Sequence, residues 1–225
     1  MSVDRLSRLT TAITTLPRLD EDVALVRQFR ATGDPAVFEI LFRKYQNAIF
    51  HLVHRMVNGE DAYDLTQEVF VRVLRALPSF KGDCKFRTWL YTIAKNVCLN
   101  HIRESRKRDE IEDRSLDDDP EFGDGPWTPE AADADADVSA IVETRELQRA
   151  VDSVLATLAP EQRLLITLRD LQGLSYEEIM DVTGLSLVNV KSKLHRARLA
   201  FKNRFRPYLD LVDTDLVGSL TAKER

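Results

Sequence analysis

Apolar residues recur at the spacing of an α-helix along most of the chain, and this pattern of hydrophobic and polar positions predicts an all-α protein. The longest stripe follows Asp34-Pro35, a pair that suits a helix start because Asp caps the helix and Pro fits its first position. It continues to Met56. In a later helix, four leucines are expected to face inward: Leu164, Leu165, Leu168 and Leu171. In all, helices are predicted over 21–32, 35–57, 61–77, 86–108, 140–158 and 160–173.

The segment 174–205 predicts two more helices joined by a tight turn. Ser175 and Glu178 form a candidate capping box, Gly184 supplies the turn, and Ser186 can cap the second helix. Seven Lys or Arg residues and no acid lie between positions 186 and 206. A short helix, a Gly turn and a basic second helix are typical of a DNA-binding helix-turn-helix. An ordinary helical hairpin with a solvated basic face is the alternative, and the purity of the basic stripe argues against it.

Charge is strongly segregated along the chain. The formal net charge is -5, yet residues 109–137 hold thirteen acids and one base, a net charge of -12, which leaves +7 for the rest. A segment this acidic cannot bury enough apolar surface to fold alone, and we interpret it as a flexible linker. The predicted organisation is an N-terminal extension (1–20), a helical domain (21–108), the acidic linker (109–139), a second helical domain (140–206) and a C-terminal tail (207–225).

A second basic region lies in the first domain. Residues 85–108 contain seven bases and one acid, interleaved with aromatic residues. Bases and rings together suit single-stranded nucleic acid, because cations follow the phosphates while rings receive unstacked bases. For each ring, packing in the core is the simpler interpretation. Phe80, in the loop before the helix, is expected to be the most available, whereas Phe86 and Trp89 are expected in the core.

Other protein classes find little support in the sequence. No apolar run is long enough to span a membrane, and the N-terminus lacks the apolar region of a signal peptide, so we expect a cytoplasmic protein. Cys84 and Cys98 are too few for a disulfide framework or a metal site, and we expect core or partly buried thiols. No metal-ligand cluster, Gly-rich phosphate loop or nucleophile–base pair is apparent, so we expect neither enzyme activity nor a metal or cofactor.

Five stretches, taken in order, resemble the extracytoplasmic-function (ECF) sigma factors of bacteria, two-domain members of the sigma-70 family that direct RNA polymerase to promoters. They are F-E-I-L-F-R-K-Y (38–45), D-A-Y-D-L-T-Q-E-V-F (61–70), F-K-G-D-C-K-F-R-T-W-L-Y (80–91), L-A-P-E-Q-R (158–163) and N-V-K-S-K-L-H-R-A-R (189–198). The resemblance covers about residues 21–206. It implies that the first domain is sigma region 2 and the second is sigma region 4.

The resemblance also implies roles for individual residues. The D-L-T-Q-E-V-F segment is similar to the surface that binds the coiled coil of the largest polymerase subunit, which implicates Asp64, Gln67, Glu68 and Arg72. The loop before the basic helix and the helix itself are similar to the part that captures and melts the minus-ten element, which implicates Phe80, Lys81, Gly82, Asp83, Lys85, Asn96 and Asn100. The second helix of the helix-turn-helix is similar to the reader of the minus-thirty-five element, which implicates Asn189, Lys191, Ser192, Lys193, His195 and Arg196.

Core RNA polymerase, through its coiled coil and flap, and promoter DNA are therefore the expected partners. An anti-sigma factor is a further partner that the family implies, and it could hold the protein at the membrane. The family also implies that the acidic linker threads the polymerase channel through which RNA leaves. The alternative is a helix-turn-helix regulator that binds an operator as a dimer without polymerase; it would need a dimerisation or effector domain, which the first domain does not resemble.

Overall fold

The protein is described by a computed structural model over residues 21–57, 61–112 and 138–211, with side chains described over 21–57, 61–108 and 147–208. The predicted N-terminal extension, most of the acidic linker and most of the tail lie outside the described residues. Within these ranges the chain is helical and has no strand. The predicted all-α fold is confirmed.

Within the described residues, the first domain contains four helices and the second contains another four. The first four are α1 (Glu21–Thr32), α2 (Pro35–Met56), α3 (Ala62–Ala76), which runs into a 3-10 turn (Leu77–Ser79), and α4 (Phe86–Glu112). The second four are α5 (Val138–Ala156), α6 (Pro160–Ile166), which continues as a π-helical turn (Thr167–Leu171), α7 (Tyr176–Thr183) and α8 (Leu187–Phe205), followed by a 3-10 turn (Arg206–Leu211).

Local signals in the sequence account for the starts of α2 and α7 and for the end of α7. The Asp34 carboxylate accepts a hydrogen bond from the Ala36 amide at 2.9 Å, and Pro35 opens α2. The Ser175 hydroxyl accepts from the Glu178 amide at 3.1 Å while the Glu178 carboxylate accepts from the Ser175 amide at 2.9 Å, which completes the predicted capping box. Gly184 ends α7 at a φ of 73°, a left-handed conformation that favours glycine.

The first domain packs around the buried face of α2. Leu41, Ile49 and Leu52 are each no more than 1% exposed. A buried carboxylate ties α1 to this helix, because Asp22 accepts hydrogen bonds from the Tyr45 hydroxyl at 2.5 Å and the Lys44 ammonium at 2.6 Å. Both partners are supplied by one turn of α2, so a charge that would be costly to bury alone is compensated.

The second domain differs from the predicted pattern at one leucine. Leu164, Leu165 and Leu168 are buried as expected, but Leu171 is 42% exposed, so its inward orientation was wrongly predicted. The reason is the π-helical turn: its wider repeat shifts the residues after Thr167 relative to α-helical spacing. The spacing of the leucines before the turn therefore does not predict which residues face inward after it.

The two domains pack against each other. Helix α4 of the first domain lies against α7 of the second, and α2 contacts α5 and α6. The buried apolar side chains of both domains form one continuous cluster, from Val26 to Ala197. The charge pattern predicts two domains and a linker but does not indicate this contact.

Candidate nucleic-acid interface

Helix α8 presents a polar outer face. Its inner face is buried through Val190, Leu194 and Ala197, as the spacing predicts. Ser186 caps the helix by accepting a hydrogen bond from the Asn189 amide at 3.4 Å. The helix starts at Leu187, so that Asn189 lies in its first turn and the other candidate contact residues follow. Four of these are exposed on the outer face with Asn189 beside them: Lys191, Ser192, His195 and Arg196.

Two bases of α8 are turned toward the body of the domain. The Lys193 ammonium lies 2.5 Å from a Glu161 carboxylate oxygen, and Arg198 makes two hydrogen bonds to Asp170, at 2.5 and 3.1 Å. Lys193, a predicted DNA contact, therefore lies at the side of the outer face and is only partly exposed. On the outer face itself, the Arg196 guanidinium lies 3.3 Å from the Ser192 hydroxyl one turn earlier.

The loop before α4 differs from expectation at its aromatic residue. Phe80 was expected to be available and this is wrong: its side chain is 5% exposed and packs against Trp89 and Phe86, with ring centroids 5.0 and 6.0 Å away. Its backbone carbonyl accepts a hydrogen bond from Arg30 of α1 at 3.1 Å. Burying a large apolar ring outweighs the exposure suggested by its place in a loop.

The polar residues of the same loop are exposed, as a ligand-binding loop requires. Lys81, Gly82 and Asp83 face solvent, and Gly82 has a φ of 83° that permits the bend. On α4, Asn96 is exposed, whereas Asn100 is partly buried and accepts a hydrogen bond from Arg103 at 3.2 Å.

Helix α7 of the second domain packs against α4, and it contacts Lys85 and Lys95. The Lys85 ammonium lies 2.9 Å from a Glu178 carboxylate oxygen, and the Lys95 ammonium donates to the Val182 carbonyl at 2.8 Å, at the C-terminal end of α7 where a cation is favoured. Burial alone would raise the pKa of Glu178, but the Ser175 amide and Lys85 outweigh it and hold that pKa below its ordinary value. Burial lowers the pKa of Lys95.

Gln172, just after the π-helical turn, joins three elements. Its side-chain oxygen accepts from the buried Tyr91 hydroxyl at 2.8 Å, and its amide donates to the Ala48 carbonyl of α2 at 3.3 Å. Its backbone carbonyl accepts from Arg87 of α4. One residue of the second domain thus holds both α2 and α4, and no composition or charge signal marks it in the sequence.

Arg163 is a second point of attachment. Its side chain is buried, and it donates to the Met56 carbonyl at the end of α2 at 3.0 Å and to the Leu158 carbonyl of its own domain at 3.2 Å, with the Ala156 carbonyl as a further acceptor. Burial lowers the pKa of this guanidinium, and the positive charge of Arg106 adds to the decrease. Helix-end carbonyls, which lack partners within their own helices, offset the cost of burying the charge.

The outer face of α3 carries the third group of predicted residues. Asp64, Gln67 and Arg72 are exposed, and Arg72 pairs with Glu68 at 2.5 Å. Three apolar side chains on the same helix are also exposed: Tyr63 (64%), Val71 (45%) and Leu74 (41%). Apolar residues on a polar helix face were the available signal, and they indicate a surface suited to a protein partner.

Two further observations bear on other kinds of site. Over the described ranges, no helix is both long and apolar enough to cross a membrane, and no group of three or more His, Cys, Asp or Glu residues is arranged to hold a metal ion. Cys98 is buried and burial raises the pKa of its thiol to about 12, while burial, followed by Asp181 and Asp83, raises the pKa of Cys84. Neither thiol has the lowered pKa of a reactive cysteine.

Comparison with known proteins identifies both domains. The family model of sigma-70 region 2 matches residues 41–108, and that of sigma-70 region 4 matches residues 148–201. The chain is 33% identical to the ECF RNA polymerase sigma-E factor of Haemophilus influenzae over 188 residues, which cover 84% of this chain and 97% of the relative. It is 34% identical to the sigma-E factor of Escherichia coli strain K12 over 177 residues, 79% of this chain and 91% of the relative.

Solved structures share the fold. The sigma factor RpoE, in complex with the anti-sigma factor NepR from Bartonella quintana, matches with a TM-score of 0.59 at 19% identity, over 75% of this chain and 96% of that one. CnrH, in complex with the cytosolic domain of CnrY, matches with a TM-score of 0.56 at 23% identity, over 86% of this chain and all of that one (100%). From both family models and these relatives together, the chain belongs to the ECF sigma factors of the sigma-70 family, the alternative sigma factors that direct transcription initiation.

Proposed function

We propose that three surfaces of this sigma factor have separate roles in transcription initiation. The outer face of α8 reads the minus-thirty-five element, with Lys191, Ser192, His195 and Arg196 toward the DNA. The observation that carries this assignment is a capped basic helix whose outer face is exposed beside a Gly turn. Its geometry is that of a recognition helix entering the major groove, where Arg and Lys pair with guanine acceptors. Asn189 lies in the first turn, and Lys193 at the side reaches a phosphate only by leaving Glu161.

The loop of residues 80–85 and helix α4 bind and melt the minus-ten element. Lys81, Gly82 and Asp83 form the exposed bend, and Asn96 and Asn100 offer amides further along the helix. Phe80 acts in this loop by anchoring it on Trp89, since its ring is buried. A captured base would meet the exposed backbone and polar groups around Gly82. Contacts to captured bases offset the cost of unstacking, a few kcal/mol per base. The sigma factor family is not an enzyme family, so bond formation belongs to polymerase.

The packed arrangement of the two domains is a resting form that opens on promoters. Lys85, proposed as a minus-ten contact, is joined to Glu178 of the second domain, and Lys95 on the same face is joined to α7. Promoter elements about two turns apart are separated by roughly 70 Å of duplex. Two domains in direct contact do not span that distance, whereas an extended linker of about thirty residues does, at ~3.3–3.6 Å per residue. The resting form therefore has to separate.

The outer face of α3 binds core polymerase. Its charged residues Asp64, Glu68 and Arg72 orient the contact, together with Gln67, and the exposed side chains of Tyr63 and Val71 supply apolar area. Apolar groups at the centre of a patch with charges at its rim are the usual division of an interface. The linker threads polymerase, and the protein acts in the cytoplasm.

An anti-sigma factor is the proposed regulator. Of the two solved structures that share this fold, the sigma factor RpoE is bound to the anti-sigma factor NepR, and CnrH is bound to the cytosolic domain of CnrY. A partner of that kind would stabilise the packed domains and thereby oppose opening. A membrane-bound partner of this kind would hold the protein at the membrane.

Run-off transcription tests the assignment. Core polymerase with the full chain is expected to yield specific transcripts from a promoter library. The double variant Lys191→Ala/Arg196→Ala is expected to lose sequence preference at the upstream element and to keep it at the minus-ten element. Val71→Glu is expected to lose core binding, while Ile40→Glu, at a similarly exposed apolar position on α2 (52% against 45% for Val71), keeps it. Promoter-specific transcription without core polymerase, or operator binding by a dimer of the isolated chain, would contradict the proposal.

A further inference from the structure

Helix α8 carries an apolar side chain at a position that its polar outer face does not explain. Val188 is the second residue of the helix and is 75% exposed, the highest value among the large exposed hydrophobic residues of the described chain. Isolated exposed apolar residues are common on protein surfaces and need no explanation by themselves. The position of this one, in the first turn of the proposed recognition helix, is what gives it a meaning.

The geometry of the helix places Val188 at the centre of its outer face. At 100° per residue, Val188 and Ser192 are separated by about 40°, and Val188 and Leu199 by about 20°. The buried residues Val190, Leu194 and Ala197 lie on the opposite side. The described part of the first domain packs mainly on α5, α6 and α7 and not on α8. Val188 thus points the same way as the polar residues proposed to meet DNA.

The chemical groups in the major groove limit what the Val188 side chain can contact. The N-terminal residues of a recognition helix approach base edges, whereas later residues approach the backbone. An isopropyl group neither donates nor accepts a hydrogen bond, so phosphates and most base edges offer it nothing. The C5 methyl group of thymine is the apolar feature that the major groove presents. The β-branched side chain is also restricted at χ1, so little side-chain freedom is lost on contact.

We propose that Val188 is a specificity-determining residue that packs its isopropyl group on the C5 methyl of a thymine in the upstream promoter element. This inference rests on the proposed function of α8 as the reader of that element. It assigns a thymine preference to one position of the site, next to positions read by the polar residues Asn189 and Ser192.

Single-methyl substitution in the DNA tests the contact. Holoenzyme assembled from core polymerase and the full chain is first used to select the upstream sequence from a randomised library. Each selected thymine is then replaced singly by deoxyuridine, which lacks only the C5 methyl. For wild type, one such replacement is expected to weaken promoter binding about three- to fivefold, the effect of one buried methyl group.

Substitutions at Val188 should change the effect of replacing thymine by deoxyuridine, in a direction that depends on the new side chain. Val188→Ala is expected to bind thymine and uracil promoters equally at that position, and Val188→Ile to keep the preference. Leu199→Ala is the matched control: it removes an exposed apolar side chain (53%) from the same face, about 16 Å further along the helix, and should leave the uracil response unchanged.

Three results would overturn the inference. Equal uracil responses in wild type and Val188→Ala at every thymine would show that the side chain does not touch a methyl group. A uniform loss of affinity for all upstream sequences in Val188→Ala would assign the side chain to a protein partner. A wild-type holoenzyme without any upstream sequence preference would overturn the proposed function of α8 as well, so the two failures are distinguishable.

Discussion

Replacing Gln172 by alanine should loosen the packed arrangement of the two domains. The substitution removes two side-chain hydrogen bonds between the domains, from Tyr91 at 2.8 Å and to Ala48 at 3.3 Å, but keeps the backbone carbonyl that accepts from Arg87. A neutral hydrogen bond contributes about 0.5–1.5 kcal/mol, so the loss of both costs the packed form about 1–3 kcal/mol. That corresponds to about a 5- to 150-fold shift toward separated domains.

Energy transfer between the domains measures this shift. Donor and acceptor dyes are attached at cysteines introduced at the exposed positions Thr32 and Asn203, one in each domain, after Cys84 and Cys98 have been replaced. Mild urea is then added while transfer efficiency is recorded. The urea concentration at which the domains separate is expected to be lower for Gln172→Ala than for wild type, before either domain unfolds.

Gln67→Ala is the matched control, because Gln67 is an exposed glutamine on the outer face of α3, and α3 packs on α2 and α4 rather than on the second domain. It should leave the separation midpoint unchanged. If Gln172→Ala and Gln67→Ala both keep the wild-type midpoint, the side chain of Gln172 does not hold the domains together and the hydrogen-bond argument is refuted.

Three further predictions concern single sites. Gly184→Ala should lower the free energy of unfolding by about 1–2 kcal/mol in urea denaturation, because a φ of 73° strains alanine although nothing within 4 Å obstructs an added Cβ; unchanged stability would contradict this. At about pH 8 a thiol reagent should label the partly exposed Cys84 in the native chain but Cys98 only after denaturation, since a pKa of about 12 leaves roughly one Cys98 thiol in ten thousand ionised; labelling of two thiols per native chain would disprove it. The pKa of Glu178 is lowered in the folded state, so its carboxylate stabilises the native state above the ordinary carboxyl pKa, and this stabilisation is lost as the pH falls through the folded pKa. Glu178→Gln should therefore lose less stability than wild type between urea titrations at about pH 6 and about pH 4. An equal loss of stability in both proteins would count against the ion pair with Lys85.

Features that depend on interactions between neighbouring residues could be predicted from the sequence. The capping box at Ser175 and Glu178, the Asp34-Pro35 start and the Gly184 turn each depend on residues within one turn of each other, and the structure has all three. The basic outer face of α8 follows from its periodicity alone. These features required no knowledge of distant contacts.

Features that depend on tertiary contacts were missed. Phe80 is buried because Trp89 and Phe86 come from a helix that folds back beside it, which composition cannot indicate. Leu171 is exposed because a π-helical turn changes the register. The contact between domains is made partly through backbone carbonyls, as at Ala48, and every residue type supplies those. The exact residues that touch DNA or polymerase stay predictions.

Arg163 has a consequence for how fast the domains rejoin. Its guanidinium is held on one side by the Leu158 and Ala156 carbonyls of its own domain, and these bonds do not depend on the first domain. Only its bonds to α2, led by the one to the Met56 carbonyl, are broken when the domains separate. We therefore expect the side chain to stay ordered in the proposed separated form, so that redocking requires little additional loss of side-chain entropy. A preorganised contact of this kind favours repeated opening and closing over a single irreversible release, as a factor that returns to its resting form after each initiation would require.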